Sequence, residues 1–422
     1  MQASESLEVK VRWRLVVPIT VLLLLSSLDR VNISFAALGM NQALGLTPAQ
    51  YGFGAGILFV GFLAGQYPSV LLLQRIGMRR WVSGCALLWA LAAGSLTLVH
   101  SAGQFYTLRV LVGLAEGGLA PGVVLYLSQF TTEGDRARTF GVPMIAIPLS
   151  VALGSPLSGW LMSMMAPGHL APWRWLLIAE ALPALVLGVA ARWYFPDHPA
   201  DARWLSSQDT EFLHAHAAAQ LRGPGNNEWR VLREPLVWMT GIVWFCLLSG
   251  SYGIIFWLPQ IVHSLTGHSP LAIGWINALP WLAAAIGMYV NAGHSDRTGE
   301  RFWHVALPAL FAAVACGAAW QLGASIAGLL ALMLLGLGLG AAQGAFWSVP
   351  TLYLTRSSLA VAAVMINLLG SAGGLVMPHL IGYGMELTGG TGIAALLIAG
   401  ALALAGLLLF TLRTRVRGGS GP

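Results

Sequence analysis

Long apolar runs separated by short polar segments dominate this chain of 422 residues. A helix that crosses a bilayer needs about 20 mostly apolar residues. Runs that meet this requirement lie near residues 13–38, 49–73, 81–100, 104–129, 138–165, 173–195, 235–262, 270–292, 303–322, 326–353, 358–384 and 392–412. The pattern therefore predicts an all-α membrane protein with 12 transmembrane helices.

The longest polar stretch, residues 196–234, separates the sixth run from the seventh. It divides the chain into a predicted N-terminal six-helix bundle, residues 1–195, and a C-terminal six-helix bundle, residues 235–417. The stretch itself is predicted to be a cytoplasmic linker. Residues 418–422, Gly-Gly-Ser-Gly-Pro, have the composition of an expression scar, and we exclude them from the fold prediction.

An internal repeat at an offset of 222 residues supports this division. The recurring pairs include Arg75 and Arg297, Gly77 and Gly299, Arg79 and Arg301, Gly52 and Gly274, Gly118 and Gly340, and Pro156 and Pro378. One offset shared by several regions indicates a duplication. Two similar bundles related by a pseudo-twofold axis, with a binding site between them, form a transporter architecture.

Composition agrees with a membrane protein and argues against other classes. Hydrophobic residues make up 57% of the chain and charged residues 9%, with a mean hydropathy of +0.72, whereas soluble domains carry roughly 25% charged residues. Cys85, Cys246 and Cys316 lie far apart in apolar runs, which favours packing over a disulfide or a metal site. No catalytic motif occurs and the polar loops are short, so we expect neither an enzyme, nor a cofactor, nor a nucleic-acid partner.

The positive charges predict the orientation. All lysines and arginines except Arg30, Arg109 and Arg174 lie in the termini or in the loops after predicted helices 2, 4, 6, 8 and 10. Because such loops stay cytoplasmic, we expect both termini in the cytoplasm. The short exterior loops favour a bacterial inner membrane, where the chain would function as a monomer.

Predicted helices 1 and 4 hold the charged residues Asp29, Arg30, Arg109 and Glu116 within their spans. Each such charge costs roughly 2.5–3.5 kcal/mol on insertion scales. Counted along helices 1 and 4, Asp29 and Glu116 differ in depth by only ~5 Å. Arg109 and Glu116 are seven residues apart and share a helix face. We therefore expect the four groups to meet in one cavity.

Several motifs occur together along the chain: Leu28-Asp-Arg-Val-Asn-Ile-Ser34, Arg109 with the Gly113–Gly122 motif, Trp257-Leu-Pro259, the Trp173–Glu180 stretch, Asn367 and the repeated Arg-x-Gly-x-Arg loops. Through these motifs the chain resembles the major facilitator superfamily and, within it, the anion:cation symporter family. Gln74 stands where the superfamily often has Asp, which weakens the gating prediction for the first of these loops.

Two interpretations of the four charges stay open. They form either a structural ion-pair cluster, with pairs such as Asp29–Arg109 or Arg30–Glu116, or a transport site. The resemblance implies the second interpretation, in which Arg30 and Arg109 bind a substrate carboxylate and Asp29 and Glu116 carry protons. An arginine suits this task because its planar guanidinium binds a carboxylate with two hydrogen bonds.

The sequence thus predicts a transporter that imports a small organic anion together with protons by alternating access. A sugar acid, a hydroxy-dicarboxylate or an aromatic carboxylate would satisfy the arginines. The alternative is a drug/proton antiporter of the same superfamily, although its Gly-Pro-x-x-Gly-Gly signature is only partly matched by Ser155–Trp160.

Further residues are weaker candidates. Substrate contacts from the second bundle are predicted for Asn367, Trp347, Tyr252 and Gln343. A gating role is predicted for the loop residues Arg75, Gly77, Arg79, Asp296, Arg297, Gly299 and Arg301. Glu180 is expected to pair locally rather than to take part in transport.

Overall fold

A computed structural model describes residues 2–131, 146–164, 168, 170–220 and 228–418, and the regular structure of these residues is helical. The helices are α1 Gln2–Val11, α2 Val17–Leu44, α3 Pro48–Ser95, α4 Ala102–Gly117, α5 Leu119–Leu127, α6 Ala146–Ser163, α7 Pro172–Tyr194, α8 Ser207–Gln220, α9 Pro235–Thr266, α10 Pro270–Thr298, α11 Trp303–Leu322, α12 Ile326–Phe346, α13 Arg356–Thr388 and α14 Gly392–Gly418. A π-helical segment, Arg12–Val16, joins α1 to α2, so the first helix begins earlier than the sequence predicts.

The described residues contain ten helical segments that are long and apolar enough to cross a membrane, which confirms a multi-pass helical protein. One of them, Pro48–Leu98, has 51 residues and at 1.5 Å per residue is far longer than a bilayer of about 30 Å. Gly77, with φ 78°, interrupts its helical geometry. The length of the segment and this break together fit two crossings. Residues 138–145 and 165 of the fifth predicted span lie outside the described residues. The count of 12 stays a prediction.

The 222-residue repeat extends to the turns between helices. Gly45 ends α2 and Gly267 ends α9, both in the left-handed region with φ of 62° and 63°. Two residues later, Thr47 and Ser269 cap the next helix by accepting a backbone N–H. A left-handed glycine followed by a hydroxyl cap stops one helix and starts the next. The same local chemistry therefore builds the first turn of each half.

We call residues 2–195 the N-terminal half and residues 235–418 the C-terminal half. The halves pack through three helix pairs, α2 with α9, α3 with α13, and α6 with α10. The end of the protein that carries the turns at Gly45 and Gly267 is called the hairpin end. The end that carries the 196–234 segment is called the linker end.

Hydrogen bonds join the two halves toward the hairpin end. They connect Asn41 with Gln260, Tyr51 Oη with Phe256 O, Asn277 with Ser155, Thr47 with Glu386, and the Leu271 N–H with Ser163. Two of these bonds, Asn277 Nδ2 to Ser155 Oγ at 2.7 Å and Tyr51 Oη to Phe256 O at 2.9 Å, are buried. The protein is therefore closed between its halves at the hairpin end.

Two pseudo-symmetric glycine contacts allow this closure. A Cβ at Gly52 on α3 would collide with the carbonyl oxygen of Pro378 on α13, and a Cβ at Gly274 on α10 would collide with that of Ser155, the residue before Pro156 on α6. The 222-residue offset relates Gly52 to Gly274 and Pro156 to Pro378. Small residues let membrane helices approach at backbone distance. The repeat has thus placed the same close crossing at both seams.

The predicted gating loops differ in their contacts. Gly77 is left-handed, and Arg79 binds the segment after α7: its backbone N–H donates to Asp197 Oδ1 at 2.9 Å and its Nε donates to Phe195 O at 2.7 Å. In the second loop Gly299 is also left-handed, and Arg301 pairs with Asp296 of its own loop. Arg75 and Arg297 are exposed. The first loop is anchored to the linker segment, and the second is held by a contact within itself.

Candidate functional site

Arg30 and Glu116 form a buried ion pair in the N-terminal half. Arg30 lies on α2 and Glu116 on the last turn of α4, and Arg30 Nε donates to Glu116 Oε2 at 3.0 Å. The Glu116 side chain is fully buried, while 15% of the Arg30 side chain is exposed. The guanidinium also lies over the ring of Phe62, 5.0 Å from its centroid. One of the two pairings considered from the sequence therefore exists.

Asp29 and Arg109 lie beside this pair without forming a direct ion pair within 4 Å among the described residues. Asp29 accepts a hydrogen bond from Asn32 Nδ2 at 2.9 Å, and its second oxygen has no partner among the described groups. Arg109 is fully buried, donates through Nη2 to Ala55 O at 3.4 Å, and interacts electrostatically with both Asp29 and Glu116. The four charges thus meet in one buried cluster, as the sequence predicts.

Glu180 belongs to the edge of the same cluster, which sequence reasoning missed. Ser158 Oγ donates to Glu180 Oε1 at 2.7 Å, and Asn32 lies within reach of both Glu180 and Asp29. The second carboxylate oxygen of Glu180 is buried without a partner in the described part of the chain. The only signal in the sequence was a carboxylate inside the sixth apolar run, and nothing there connects it to α2.

Tyr252 is the candidate from the C-terminal half that reaches the cluster. It lies on α9, interacts electrostatically with Arg30, and packs edge-on against Phe59 with ring centroids 4.5 Å apart. The 222-residue offset relates Arg30 to Tyr252 and Asp29 to Ser251. Residues related by a twofold axis meet when they lie near that axis. The contact between Arg30 and Tyr252 therefore places the cluster at the seam between the halves.

The other candidates from the C-terminal half lie toward the linker end. Gln343 on α12 donates to Ser251 Oγ at 2.6 Å, next to Tyr252. Trp347 packs edge-on against Trp244, with centroids 5.5 Å apart, and 37% of its side chain is exposed. Asn367 on α13 is half-buried. Trp244 precedes Tyr252 by eight residues on α9, or roughly 12 Å of helix. Gln343 is thus near the cluster, while Trp347 lies deeper along the seam.

The geometry is suited to charge exchange rather than to bond chemistry. Within the described ranges no group of three or more His, Cys, Asp or Glu side chains is arranged to hold a metal ion. A buried arginine bound to a buried carboxylate can exist in two states that have the same net charge. In one state the carboxylate neutralises the arginine; in the other the carboxylate carries a proton and an external anion takes its place.

Comparisons with known proteins agree with this fold. A model of the Major Facilitator Superfamily matches residues 19–378. A protein named "Putative tartrate transporter" from Agrobacterium vitis is 38% identical over 96% of this chain and 90% of its own length. A "Quinolone resistance transporter" from Acinetobacter baumannii is 30% identical over 90% of this chain and 88% of its own.

Among solved structures, the crystal structure of a D-xylose-proton symporter superposes with a TM-score of 0.74 at 15% identity, covering 95% of this chain and 97% of that one. At such low identity this likeness concerns the fold. The family match covers most of the chain. The two relatives named above are both called transporters, and each aligns with this chain over nearly its whole length. The chain therefore belongs to the Major Facilitator Superfamily and is a membrane transporter, not an enzyme.

Proposed function

We propose that this transporter is a proton-coupled symporter that imports a small organic anion. The observation that carries the proposal is the buried pair between Arg30 and Glu116, with Asp29 and Arg109 beside it. A carboxylate that holds an arginine at the seam of two halves competes directly with a carboxylate substrate. The nearby hydroxyl of Tyr252, which interacts with Arg30, is available to donate a hydrogen bond to the anion from the opposite half.

Coupling follows from charge balance. A proton on Glu116 neutralises that side chain and frees Arg30, whose charge is then compensated by the incoming anion. Without the proton, Glu116 occupies Arg30 and the anion is excluded. Proton and anion therefore favour each other's binding, which is the thermodynamic requirement for symport. Asp29, with an unpaired oxygen beside Arg109, is proposed as the second proton carrier.

The wider arrangement is proposed along the same lines. Twelve helices would form two bundles, residues 1–195 and 235–417, with 196–234 between them and both termini in the cytoplasm of a bacterium. The hairpin end would then face the exterior, so the closed hairpin-end seam would seal the cluster from outside in this state. Rocking about the seam would alternate access, with protons as the coupling ion and the monomer as the working unit.

The relative named for tartrate makes a hydroxy-dicarboxylate the first substrate to test. Purified protein in liposomes, with an acidic exterior, is expected to accumulate labelled tartrate or a related acid, and a matched sugar acid and aromatic acid complete the series. Glu116→Gln is expected to abolish accumulation driven by the pH gradient but to keep exchange of external for internal anion. Loss of both activities in a folded variant would leave Glu116 a structural role only.

The alternative is a drug/proton antiporter, favoured by the relative named for quinolone resistance. The two functions differ in the direction of the proton. Addition of an anion to the outside of liposomes should drive protons inward in a symporter. Proton release from liposomes on addition of a cationic or zwitterionic drug, with no response to organic anions, would replace the symport proposal.

A further inference from the structure

A cavity of about 360 Å³ lies inside the C-terminal half, away from the charged cluster. Its walls come mainly from α9, α11, α12 and α14, and most of its lining side chains are apolar. Polar side chains among them occur toward the hairpin end, at Thr266, His268, Ser325 and Thr391. No lysine, arginine, aspartate or glutamate is among its described lining residues. The cavity is thus an apolar chamber with an uncharged polar rim at one end.

The N-terminal half fills the matching space with a tryptophan. The 222-residue offset relates Ala395, in the cavity wall, to Trp173. The register holds beyond this position, because Leu176 and Ile398 are related by the same offset and both are buried. Trp173 is 2% exposed and packs against Gly39, whose counterpart Ile261 lines the cavity. Alanine therefore stands in the cavity wall at the position where the other half has a buried indole.

The dimensions of the cavity suit a linear chain. From the rim at Ser325 to Leu335 on α12 is ten residues, and from Thr391 to Ile398 on α14 is seven, so the chamber is roughly 10–15 Å deep. With carbon–carbon bonds of about 1.5 Å in a zigzag, a chain of roughly ten carbons spans this depth. Apolar cavities of even ~150 Å³ stay dry and take up hydrocarbon ligands.

The rim leaves the head group of such a chain in contact with solvent. Leu265 and Ile326 are exposed at the mouth, 47% and 82%, beside the exposed His268 and Ser325. This mixture of apolar and uncharged polar groups suits the boundary between an alkyl chain and a small polar head. Because no lysine or arginine lines the rim among the described residues, the head group is left to solvent and the chain alone is recognised, in contrast to the anionic substrate proposed above, which needs a buried arginine.

We propose that this cavity is a binding site for a single alkyl chain of about ten carbons, with its polar head at the hairpin end. Such a chain is present in a free fatty acid and in a bilayer lipid, and the site recognises the chain that both share. The site stands on the cavity and its missing tryptophan alone, so it does not depend on the proposed symport.

Binding of radiolabelled decanoate to the protein in digitonin, a detergent without an alkyl chain, tests the proposal. We expect saturable binding of one decanoate per chain. Ala395→Trp and, as a second filling variant on another wall, Ala319→Phe should each weaken it about tenfold or more. The matched control is Leu396→Trp on the next residue of α14, where the side chain is 68% exposed and points away. Gel filtration verifies that each variant is folded.

A thiol in the cavity wall gives a second readout. Cys316 lines the cavity, whereas Cys246 is buried outside it. In proteins that keep only one of these cysteines, decanoate at about ten times its dissociation constant should slow maleimide labelling of Cys316 about tenfold and leave Cys246 unaffected. Acetate should protect neither thiol.

Displacement of decanoate by added phospholipid would assign the chain to a bilayer lipid, and failure of phospholipid to displace it would assign the site to a free amphiphile. Both outcomes support an alkyl-chain site. Absence of saturable binding to the wild-type protein, or equal binding by Ala395→Trp and Leu396→Trp, overturns it.

Discussion

The two halves of this transporter are related by an internal repeat, but they differ in the charged side chains that they carry within the membrane region. In the N-terminal half five charged side chains meet within the membrane region: Asp29, Arg30, Arg109, Glu116 and Glu180. The offset of 222 residues places Ser251, Tyr252, Ala331, Gly338 and Leu402 at the corresponding positions of the C-terminal half. The repeat relates the helices and turns of both halves. Among the described residues, however, the buried charges, which are costly in a membrane, lie in the N-terminal half.

This comparison distinguishes the residues that let helices pack closely from the residues that carry buried charge. Features that let helices meet, such as Gly52 and Gly274, occur in both halves. The buried charged side chains of the described residues lie in one half, with the neutral Tyr252 beside Arg30 from the other. Substitutions in the charged half should therefore change chemistry, while substitutions at paired glycines should have equal effects in the two halves.

The largest effect is expected for Arg30→Ala. It leaves Glu116 without its partner in a buried site, and breaking a buried pair by removing one member costs about 3–5 kcal/mol. Uptake of organic anion by liposomes should fall by two orders of magnitude or more. Uptake within tenfold of wild type, in a variant that elutes normally on gel filtration, would remove Arg30 from the transport site.

A large and symmetric effect is expected for Gly52→Leu and Gly274→Leu. Each new side chain meets a backbone carbonyl across the seam, so the hairpin end cannot close and transport should fall at least about tenfold in both variants. Gly84→Leu on α3 is the matched control, because a Cβ there meets open space. Loss in only one of the paired variants would break the mechanical equivalence of the halves.

A smaller effect is expected for Tyr252→Phe, which removes one hydroxyl from the C-terminal side of the cluster. A single hydrogen bond contributes about 0.5–1.5 kcal/mol, so the KM for the anion should rise two- to about tenfold with little change in maximal rate. Initial uptake rates over a range of anion concentrations measure this. A drop in maximal rate as severe as that of Arg30→Ala would mean that the two halves share the chemistry equally.

The smallest effect is expected outside the membrane region, where Lys10 Nζ binds Asp209 Oδ2 on α8 at 3.0 Å. Burial works in the opposite direction, but hydrogen bonds from Lys10 and Ser206 hold the pKa of Asp209 below its usual value. The pair therefore stabilises the folded protein above pH about 4, and its contribution is lost as the pH falls through the lower native pKa.

Asp209→Asn should lower the melting temperature by only about 1 °C at pH 7, because exposed pairs contribute little. Thermal unfolding followed by intrinsic fluorescence measures the change. The difference from wild type should shrink as the pH falls below about 4. A difference that grows toward acid would mean that another group carries the linkage between the N-terminal segment and α8.

Much of the site followed from the sequence because charges inside apolar runs are rare and expensive. Asp29, Arg30, Arg109 and Glu116 are visible as such, and helix geometry brings them to one depth. For Glu180 the sequence predicts only a local partner, because the distance between α2 and α7 is set by packing and cannot be read along the chain. Which carboxylate pairs with which arginine was likewise open, since both pairings fit the same depths.

The sequence by itself determined a helical membrane protein, its internal duplication and the half that carries the charge. These follow from properties that can be read along the chain: apolar runs long enough to cross a bilayer, a repeated register, and charged residues within apolar runs, which are costly in a bilayer. Only the tertiary structure decided that Arg30 holds Glu116, that Tyr252 meets Arg30 across the seam, that the hairpin end is closed, and that a cavity stands where Trp173 has no counterpart. Each of these depends on distances between helices far apart in the chain, which are fixed by the packing of many side chains at once.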